Sequence, residues 1–292
     1  MSEQMTKYRR YPGVQPFKTE QTALFFGRED DRERLLNLML LEKLLVLFGK
    51  SGYGKSSLLN AGIIPDLEVE NKRRNARFVP IPIRFTAWTG AEADTLVSKF
   101  LAQLQKVAPE VAPEAEFLRH TEGVLQTLWV ECKLRQTLPQ PPRFVLLFDQ
   151  FEEFFTYPMP QQNDFKKQLA ELLYSDLPAS IWQVKADWTD AQETFLSQPM
   201  DVRAVLAIRA DRMSYLDALK DKLPAILQKR YELKGLTFDN TGFAKVKTGD
   251  TYYLVDTLGK EYKLATDINQ LDSSTLALDL RKKIYIYNLF LK

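Results

Sequence analysis

Leu44-Leu45-Val46-Leu47-Phe48-Gly49-Lys50-Ser51-Gly52-Tyr53-Gly54-Lys55-Ser56-Ser57-Leu58-Leu59-Asn60-Ala61 is the stretch that decides the fold. Residues 49–56 satisfy G-x-x-x-x-G-K-[ST] at every fixed position. Leu44–Phe48 is a short apolar run of the buried-strand kind, and Ser57–Ala61 reads as a first helical turn. Strand, glycine loop and helix in that order separate a phosphate loop from a glycine-rich turn with an incidental lysine. Gly49, Gly52 and Gly54 lack a Cβ, so the backbone is free to adopt positive φ and to approach a phosphate closely. Successive N–H groups of Lys50, Ser51, Gly52, Tyr53 and Gly54 would then form an anion nest at a helix N-terminus, with Ser57 on the same turn. Lys55 would reach β- and γ-phosphates, and the Ser56 hydroxyl would ligate Mg²⁺.

Outward from this loop the chain alternates helical and strand patterns. Glu29–Leu41 carries Leu35, Leu36, Leu38, Met39 and Leu40 largely on one helical face and predicts a helix leading into the strand at 44. Pro65 is read as a stop for the loop helix. Phe78–Phe85 alternates apolar residues around Pro80 and Pro82, which predicts an edge or irregular strand, because proline cannot donate to a central ladder. Ala91–Val107 and Val124–Leu134 read as helices, the second with Leu125, Leu128, Trp129 and Cys132 at helical spacing. Phe144–Phe148 is a continuous apolar run of the central parallel-strand type, Val202–Ile208 is another buried-strand candidate, and Asp164–Leu173 is a further helix. The fold class is therefore α/β: a parallel sheet covered by helices on both faces.

Asp149 follows the 144–148 strand directly, so it would leave the strand's carboxyl end beside the phosphate loop and hold Mg²⁺ through a coordinated water. The next residues, Gln150-Phe151-Glu152-Glu153, add two carboxylates able to polarise water; Glu153 is preferred to Glu152, although spacing does not decide between them, and a solvated acidic turn is the bland alternative. Arg209, in Ala207-Ile208-Arg209-Ala210-Asp211, stands at another strand end, where it would sense a γ-phosphate or simply pair with Asp211.

The composition narrows the function classes. The 292 residues carry a formal net charge of +2, which gives no global signature for nucleic acid or an anionic membrane. The short run Lys72-Arg73-Arg74 reads as a solvated basic loop. One cysteine, Cys132, excludes an intrachain disulfide, and with one histidine, His120, the ligands for an ordinary zinc site are lacking. Cys132 reads as a small buried group and His120 as a surface residue. No run approaches the ~20 apolar residues that span a bilayer, and the polar first ten residues lack a signal-peptide core, so a cytoplasmic location is expected.

Past Tyr231 the texture changes. Gly242–Lys247 and Tyr252–Asp256, joined by Thr248-Gly249-Asp250, read as a hairpin. A turn at Leu258-Gly259-Lys260 and the strand-like Glu261–Ala265 would extend it to a meander. The expected division is an extended segment over 1–20, an α/β domain over 21–234 and a β-rich segment over 235–292.

Five motifs in order carry a resemblance: Tyr11-Pro12-Gly13 with Pro16-Phe17; Phe25-Phe26-Gly27-Arg28-Glu29; the phosphate loop with Ser57–Gly62; Asp149–Glu153; and Arg209-Ala210-Asp211. Over roughly residues 11–234 the chain resembles the bacterial novel-STAND group of P-loop NTPases, relatives of AAA+ ATPases. The resemblance implies an ATP- and Mg²⁺-dependent signalling switch whose nucleotide state controls assembly or a partner protein, and it places Gly27 and Arg28 near adenine and ribose. It also favours ATP, and no guanine-reading Asn-Lys-x-Asp motif is present. Such ATPases continue past the element matched by Tyr231-Glu232-Leu233 into a helical lid, whereas this chain turns to β-rich sequence. Residues 242–259 resemble a WG-type repeat, and Leu276-x-Leu278-x-Leu280 resembles the opening of leucine-rich repeats. A slow ATPase switch is thus weighed against a nucleotide-stabilised interaction module with no useful turnover. A small-molecule kinase is disfavoured by the water-activating character of Asp149–Glu153, and DNA handling by the charge balance.

Overall fold

In the computed structural model the residues described are 15–25, 27–91, 94–184 and 188–235, and beyond them the strand residues 243–248, 251–256, 261–263, 275–280 and 283–288. The elements of the first part are α1 (Glu29–Leu41), β1 (Leu44–Gly49), α2 (Lys55–Ser57), α3 (Ile64–Arg74), β2 (Phe78–Arg84), α4 (Leu96–Val107), α5 (Phe117–His120), α6 (Leu128–Lys133), β3 (Arg143–Asp149), α7 (Met159–Tyr174), α8 (Ala179–Trp182), α9 (Asp190–Ser197), β4 (Asp201–Arg209) and β5 (Arg230–Glu232).

These strands form one parallel sheet in the order β2-β3-β4-β1-β5. β4 is inserted between β1 and β3, so the phosphate-loop strand and the Asp149 strand flank it. Gly49 is in register with Arg209, and Phe148 with Leu206, which brings the three carboxyl ends into one row.

Strand periodicity divides the core between the sheet's two faces. Leu44, Val46, Phe144, Leu146, Phe148, Val202, Ala204, Leu206 and Ile208 pack with α4, α6 and α7 residues such as Phe100, Trp129 and Phe165. Leu45, Leu47, Val145, Leu147, Val205 and Ala207 pack on the other face with Leu35 and Met39 of α1 and Leu67 of α3. Both faces being covered accounts for the continuous apolar runs Leu44–Phe48, Phe144–Phe148 and Ala204–Ile208 within β1, β3 and β4.

The edge expectation for β2 holds: it pairs with β3 alone, without a break from Phe78 to Arg84. Pro80 and Pro82 are two residues apart, so both missing N–H groups fall on the same side of the strand, the open one.

Several expected boundaries move. Pro65 does not stop the loop helix: α2 runs through a π-helical stretch, Leu58–Ile63, straight into α3, where Pro65 occupies the first turn. There the wider i→i+5 pattern, in which the Ile64 N–H donates to the Leu59 carbonyl, removes the demand for the amide that proline lacks. Lys72-Arg73-Arg74 is the last turn of α3 rather than a loop, and Arg73 and Arg74 pair with Glu70. α4 begins at Leu96, not at Ala91, because Thr95 caps it, accepting from the Ser98 N–H at 2.9 Å. α6 begins at Leu128 because Thr127 caps it, which leaves Leu125 outside the helix and exposed. α7 starts five residues before the expected Asp164, at Met159, with Pro160 tolerated in its first turn.

Cys132 is buried, and burial pushes its thiol well above the usual range, whereas His120 is exposed beside Glu116. No helix of the described residues is long and apolar enough to cross a membrane. Beyond the sheet, β6 (Phe243–Thr248), β7 (Thr251–Asp256) and β8 (Glu261–Lys263) pair antiparallel, as the hairpin-and-meander reading expects; the turns between them lie outside the described residues. β9 (Thr275–Leu280) pairs antiparallel with β10 (Lys283–Asn288). Leu276–Leu280 therefore lies in an antiparallel pair, unlike the parallel stacking of a solenoid repeat. The segment 1–14 and Phe26 also lie outside the described residues.

Candidate functional site

β1 delivers the glycine loop at the carboxyl edge of the sheet. Gly52 and Gly54 adopt φ of +82° and +92°, the left-handed region where a side chain is strained. Gly49 is required for a different reason. Its φ is not left-handed; a Cβ there would collide with the main-chain carbonyl oxygen of Leu233, whose own N–H donates to the Phe48 carbonyl at 2.7 Å. The segment leaving β5 is therefore laid directly against the start of the phosphate loop.

Lys55 Nζ donates to the carbonyls of Gly49 at 2.9 Å and Lys50 at 3.2 Å, so the ammonium is held across the loop it belongs to. Burial lowers its pKa below the ordinary lysine range, and the nearby charges of Glu152 and Asp149 offset part of that effect. The Ser56 hydroxyl donates to Asp149 Oδ1 at 2.9 Å. Both expected metal-holding residues thus meet, and they offer only oxygen donors, the chemistry that suits Mg²⁺. Lys50 and Ser51 are carried on the loop's exposed side with Gly52, and Tyr53 folds back so that its N–H donates to the Lys50 carbonyl at 3.3 Å. Ser57 is turned away: it is buried, and its hydroxyl oxygen accepts from the Phe17 N–H at 3.1 Å. Its side chain serves the N-terminal segment, not the loop interior.

The turn after β3 explains how the two glutamates are sorted. Gln150 takes φ +54°, and Phe151–Thr156 is a 3₁₀ helix. With three residues per turn, Phe151 and Phe154 eclipse each other, and both are buried with their rings stacked at 5.1 Å. They anchor to Phe85, Phe148 and Phe165. The same period puts Glu152 on a second face with Phe155, and Glu153 on a third with exposed Thr156, whose hydroxyl donates to the Glu153 carbonyl at 2.7 Å. Glu152 is the one held to the neighbouring strand end: its Oε2 accepts from the Arg209 N–H at 3.3 Å. Burial raises the Glu152 carboxyl above its usual range, against the lowering effect of backbone N–H groups and Lys55.

Arg209 stands beside Gly49, as its place at the end of β4 requires. Its guanidinium makes a bidentate pair with Asp211, Nε to Oδ1 at 3.0 Å and Nη2 to Oδ2 at 2.9 Å, on a largely exposed surface. The pairing that competes with phosphate sensing is thus the arrangement observed.

Gly27 has φ +81°, and its N–H donates to Glu29 Oε1 at 3.1 Å. Arg28 is buried and directed at main chain: Nη2 donates to the Tyr53 carbonyl at 2.8 Å and Nη1 to the Lys234 carbonyl at 2.7 Å. Nothing in the sequence announced Leu233, Lys234 or Tyr231 as neighbours of the loop, since their contacts cross about two hundred positions and several are made by backbone atoms. The one usable signal for Glu152 was the spacing of three between Phe151 and Phe154.

A separate concavity of about 420 Å³ is formed by the turns after β3 and β4 with the start of α7; Phe154, Phe155, Met159, Tyr215 and Leu219 supply much of its wall, and it contains none of the phosphate-loop residues.

Among known proteins, the family model described as novel STAND NTPase 1 matches residues 11–244. No curated protein matches the chain. The resemblances of the C-terminal strands to WG-type and leucine-rich repeats gain no support from these comparisons. Solved structures that are similar include the Walker-type ATPase PABY2304 of Pyrococcus abyssi, at 16% identity over 78% of this chain and 58% of that one, with a TM-score of 0.40. The Aeropyrum pernix ORC1 protein, solved in complex with DNA, matches at 13% identity over 78% of this chain and 48% of that one, TM-score 0.43. The ADP form of the Aeropyrum pernix ORC2 protein matches at 10% identity over 71% and 48%, TM-score 0.43. The chain spans about half the length of these solved chains, and likenesses this distant bear on nothing beyond the fold.

Proposed function

The chain belongs to the novel STAND NTPase 1 family, and from that premise we propose that it binds ATP with Mg²⁺ in the loop Gly49–Ser56, hydrolyses it slowly, and uses the nucleotide state to control contact with a protein partner. The observation that carries this reading is the Ser56–Asp149 hydrogen bond of 2.9 Å, made at the mouth of a loop with two left-handed glycines and Lys55.

In this reading the main chain of Lys50–Gly54 cradles the β-phosphate, and Lys55 exchanges its two loop carbonyls for phosphate oxygens. Ser56 and Asp149 would hold Mg²⁺, which would supply neutralisation of phosphate charge there. Glu152 orients the attacking water and accepts its proton. Its raised pKa, a consequence of burial, makes it a better proton acceptor than an exposed carboxylate. Glu153, preferred on sequence grounds, is supported less well because it shares its helical face with exposed Thr156. Arg209 joins the γ-phosphate when it leaves Asp211.

The bidentate Arg209–Asp211 pair favours a second reading, an interaction module stabilised by nucleotide but without useful turnover. Phosphate release from the ATP-saturated chain, followed together with binding, decides between the two. Binding with steady release supports the switch, binding without release supports the module, and absence of binding contradicts both.

A further inference from the structure

Four contacts fasten residues 233–235 to the phosphate loop. The Leu233 N–H donates to the Phe48 carbonyl, and the Leu233 carbonyl lies where a Gly49 side chain would be. The Arg28 fork spans the carbonyls of Tyr53 and Lys234 at 2.8 and 2.7 Å. The Tyr53 ring lies against Gly235, so that a Cβ there would come within 3.2 Å of its Cζ. The fork is itself held in place: Asp31 Oδ2 accepts from Arg28 Nη1 at 2.9 Å, and Asp31 Oδ1 accepts from the Tyr231 hydroxyl at 2.6 Å. Tyr231 belongs to β5 and is in register with Leu47 of the loop strand.

A buried guanidinium can span two main-chain carbonyls only while both keep their positions, and losing it leaves both acceptors in a site with little water. We propose that Arg28 is a positioning residue that acts through the Tyr53 main chain. It ties the apex of the phosphate loop to the segment that leaves the sheet, so that displacing residues 233–235 changes the loop's affinity for phosphate. The inference rests on the phosphate-loop reading and deepens it, because it gives the chain beyond Gly235 a physical route to the nucleotide. It also differs from the role the family resemblance implies for Arg28, a contact with adenine or ribose: a residue that acts through Tyr53 affects every ligand of the loop alike, base or no base.

The test compares the 292-residue parent chain with Arg28→Gln and with the milder Tyr231→Phe, which removes only the hydroxyl that steadies Asp31. Dissociation constants are measured for ATP·Mg²⁺ and for tripolyphosphate·Mg²⁺, which has no base or sugar. Amide hydrogen exchange is followed over residues 50–54 and 233–235 without ligand. Arg28→Gln should raise both dissociation constants by a common factor of about ten or more, as expected for a lost charge-assisted hydrogen bond, and should deprotect both segments together; Tyr231→Phe should do the same to a smaller extent. A loss confined to ATP, with tripolyphosphate unaffected, would overturn the proposal in favour of a direct nucleoside contact. Unchanged exchange at 50–54 in both variants would overturn it whatever the affinities. Failure of the parent to bind either ligand would refute the phosphate-loop reading instead, while the exchange data still decide whether the tie exists.

Discussion

The Ser56 hydroxyl and the Asp149 carboxylate meet at 2.9 Å although 93 positions separate them in the chain. Insertion of β4 between β1 and β3 brings this about: the loop helix starts over one side of β4, and Asp149 leaves the strand on its other side. If the pair holds Mg²⁺, Ser56→Ala and Asp149→Asn should each weaken ATP binding in the presence of Mg²⁺ by on the order of tenfold or more, with little change when EDTA is present. A magnesium titration of ATP affinity checks this, and equal losses with and without Mg²⁺ would contradict it.

Glu152 and Glu153 separate by substitution. Glu152→Gln should keep ATP binding and lose about 10²- to 10⁴-fold in phosphate release, the range for removal of a general base. Glu153→Gln should stay near the parent rate. Burial raises the Glu152 pKa in the folded chain, so its contribution to stability is present at low pH and is lost as pH rises through the folded value. Near neutral pH, Glu152→Gln should therefore unfold at the same temperature as the parent or higher, which thermal scans at several pH values will register.

Asp211 restrains Arg209 in the observed arrangement. Asp211→Ala should free the guanidinium and raise phosphate release, Arg209→Ala should lower it, and the double variant should follow the arginine. Neither change should move the unfolding midpoint, because exposed pairs of this kind contribute little to stability. Steady-state release assays on the four chains test the ordering.

Lys133 carries a prediction unconnected with nucleotide. Its ammonium is buried, donates to the Gln198 carbonyl at 2.6 Å and lies 4.8 Å from the Phe195 ring centre. Burial lowers its pKa to about 8 from 10.5. A lysine lowered in the folded state leaves the unfolded chain binding more protons between those values, so stability should rise with pH across that window. Lys133→Met should flatten the rise, as measured by denaturant midpoints between pH 7.5 and 10, a range set by that shift.

The strand–loop–helix core was legible because β1, β3 and β4 are buried on both faces and so carry long apolar stretches, broken in β4 only by Arg203 near its start. Helix starts were less so, since the short side chains of Thr95 and Thr127 outweighed apolar spacing. Pro65 misled because a π-helical stretch relieves the clash that normally ends a helix. Motif spacing singled out Lys55, Ser56, Asp149 and Arg209, which the sheet order sets at neighbouring strand ends, but it could not tell Ser57's buried side from the loop interior. Spacing did not decide between Glu152 and Glu153, although Glu153 was preferred; the eclipsed Phe151 and Phe154 give the two glutamates different surroundings. Arg28's long-range contacts are with the main-chain carbonyls of Tyr53 and Lys234, which leave no trace in residue identity.

The most direct test of nucleotide binding at the phosphate loop is calorimetric titration of ATP·Mg²⁺ into the 292-residue chain and into Lys55→Ala. Saturable one-to-one binding by the parent and none by the variant at the same concentrations is expected, with both chains folded by circular dichroism. Equal binding by the two chains would contradict it, since Lys55 is the one cation that the glycine loop itself directs across its own mouth.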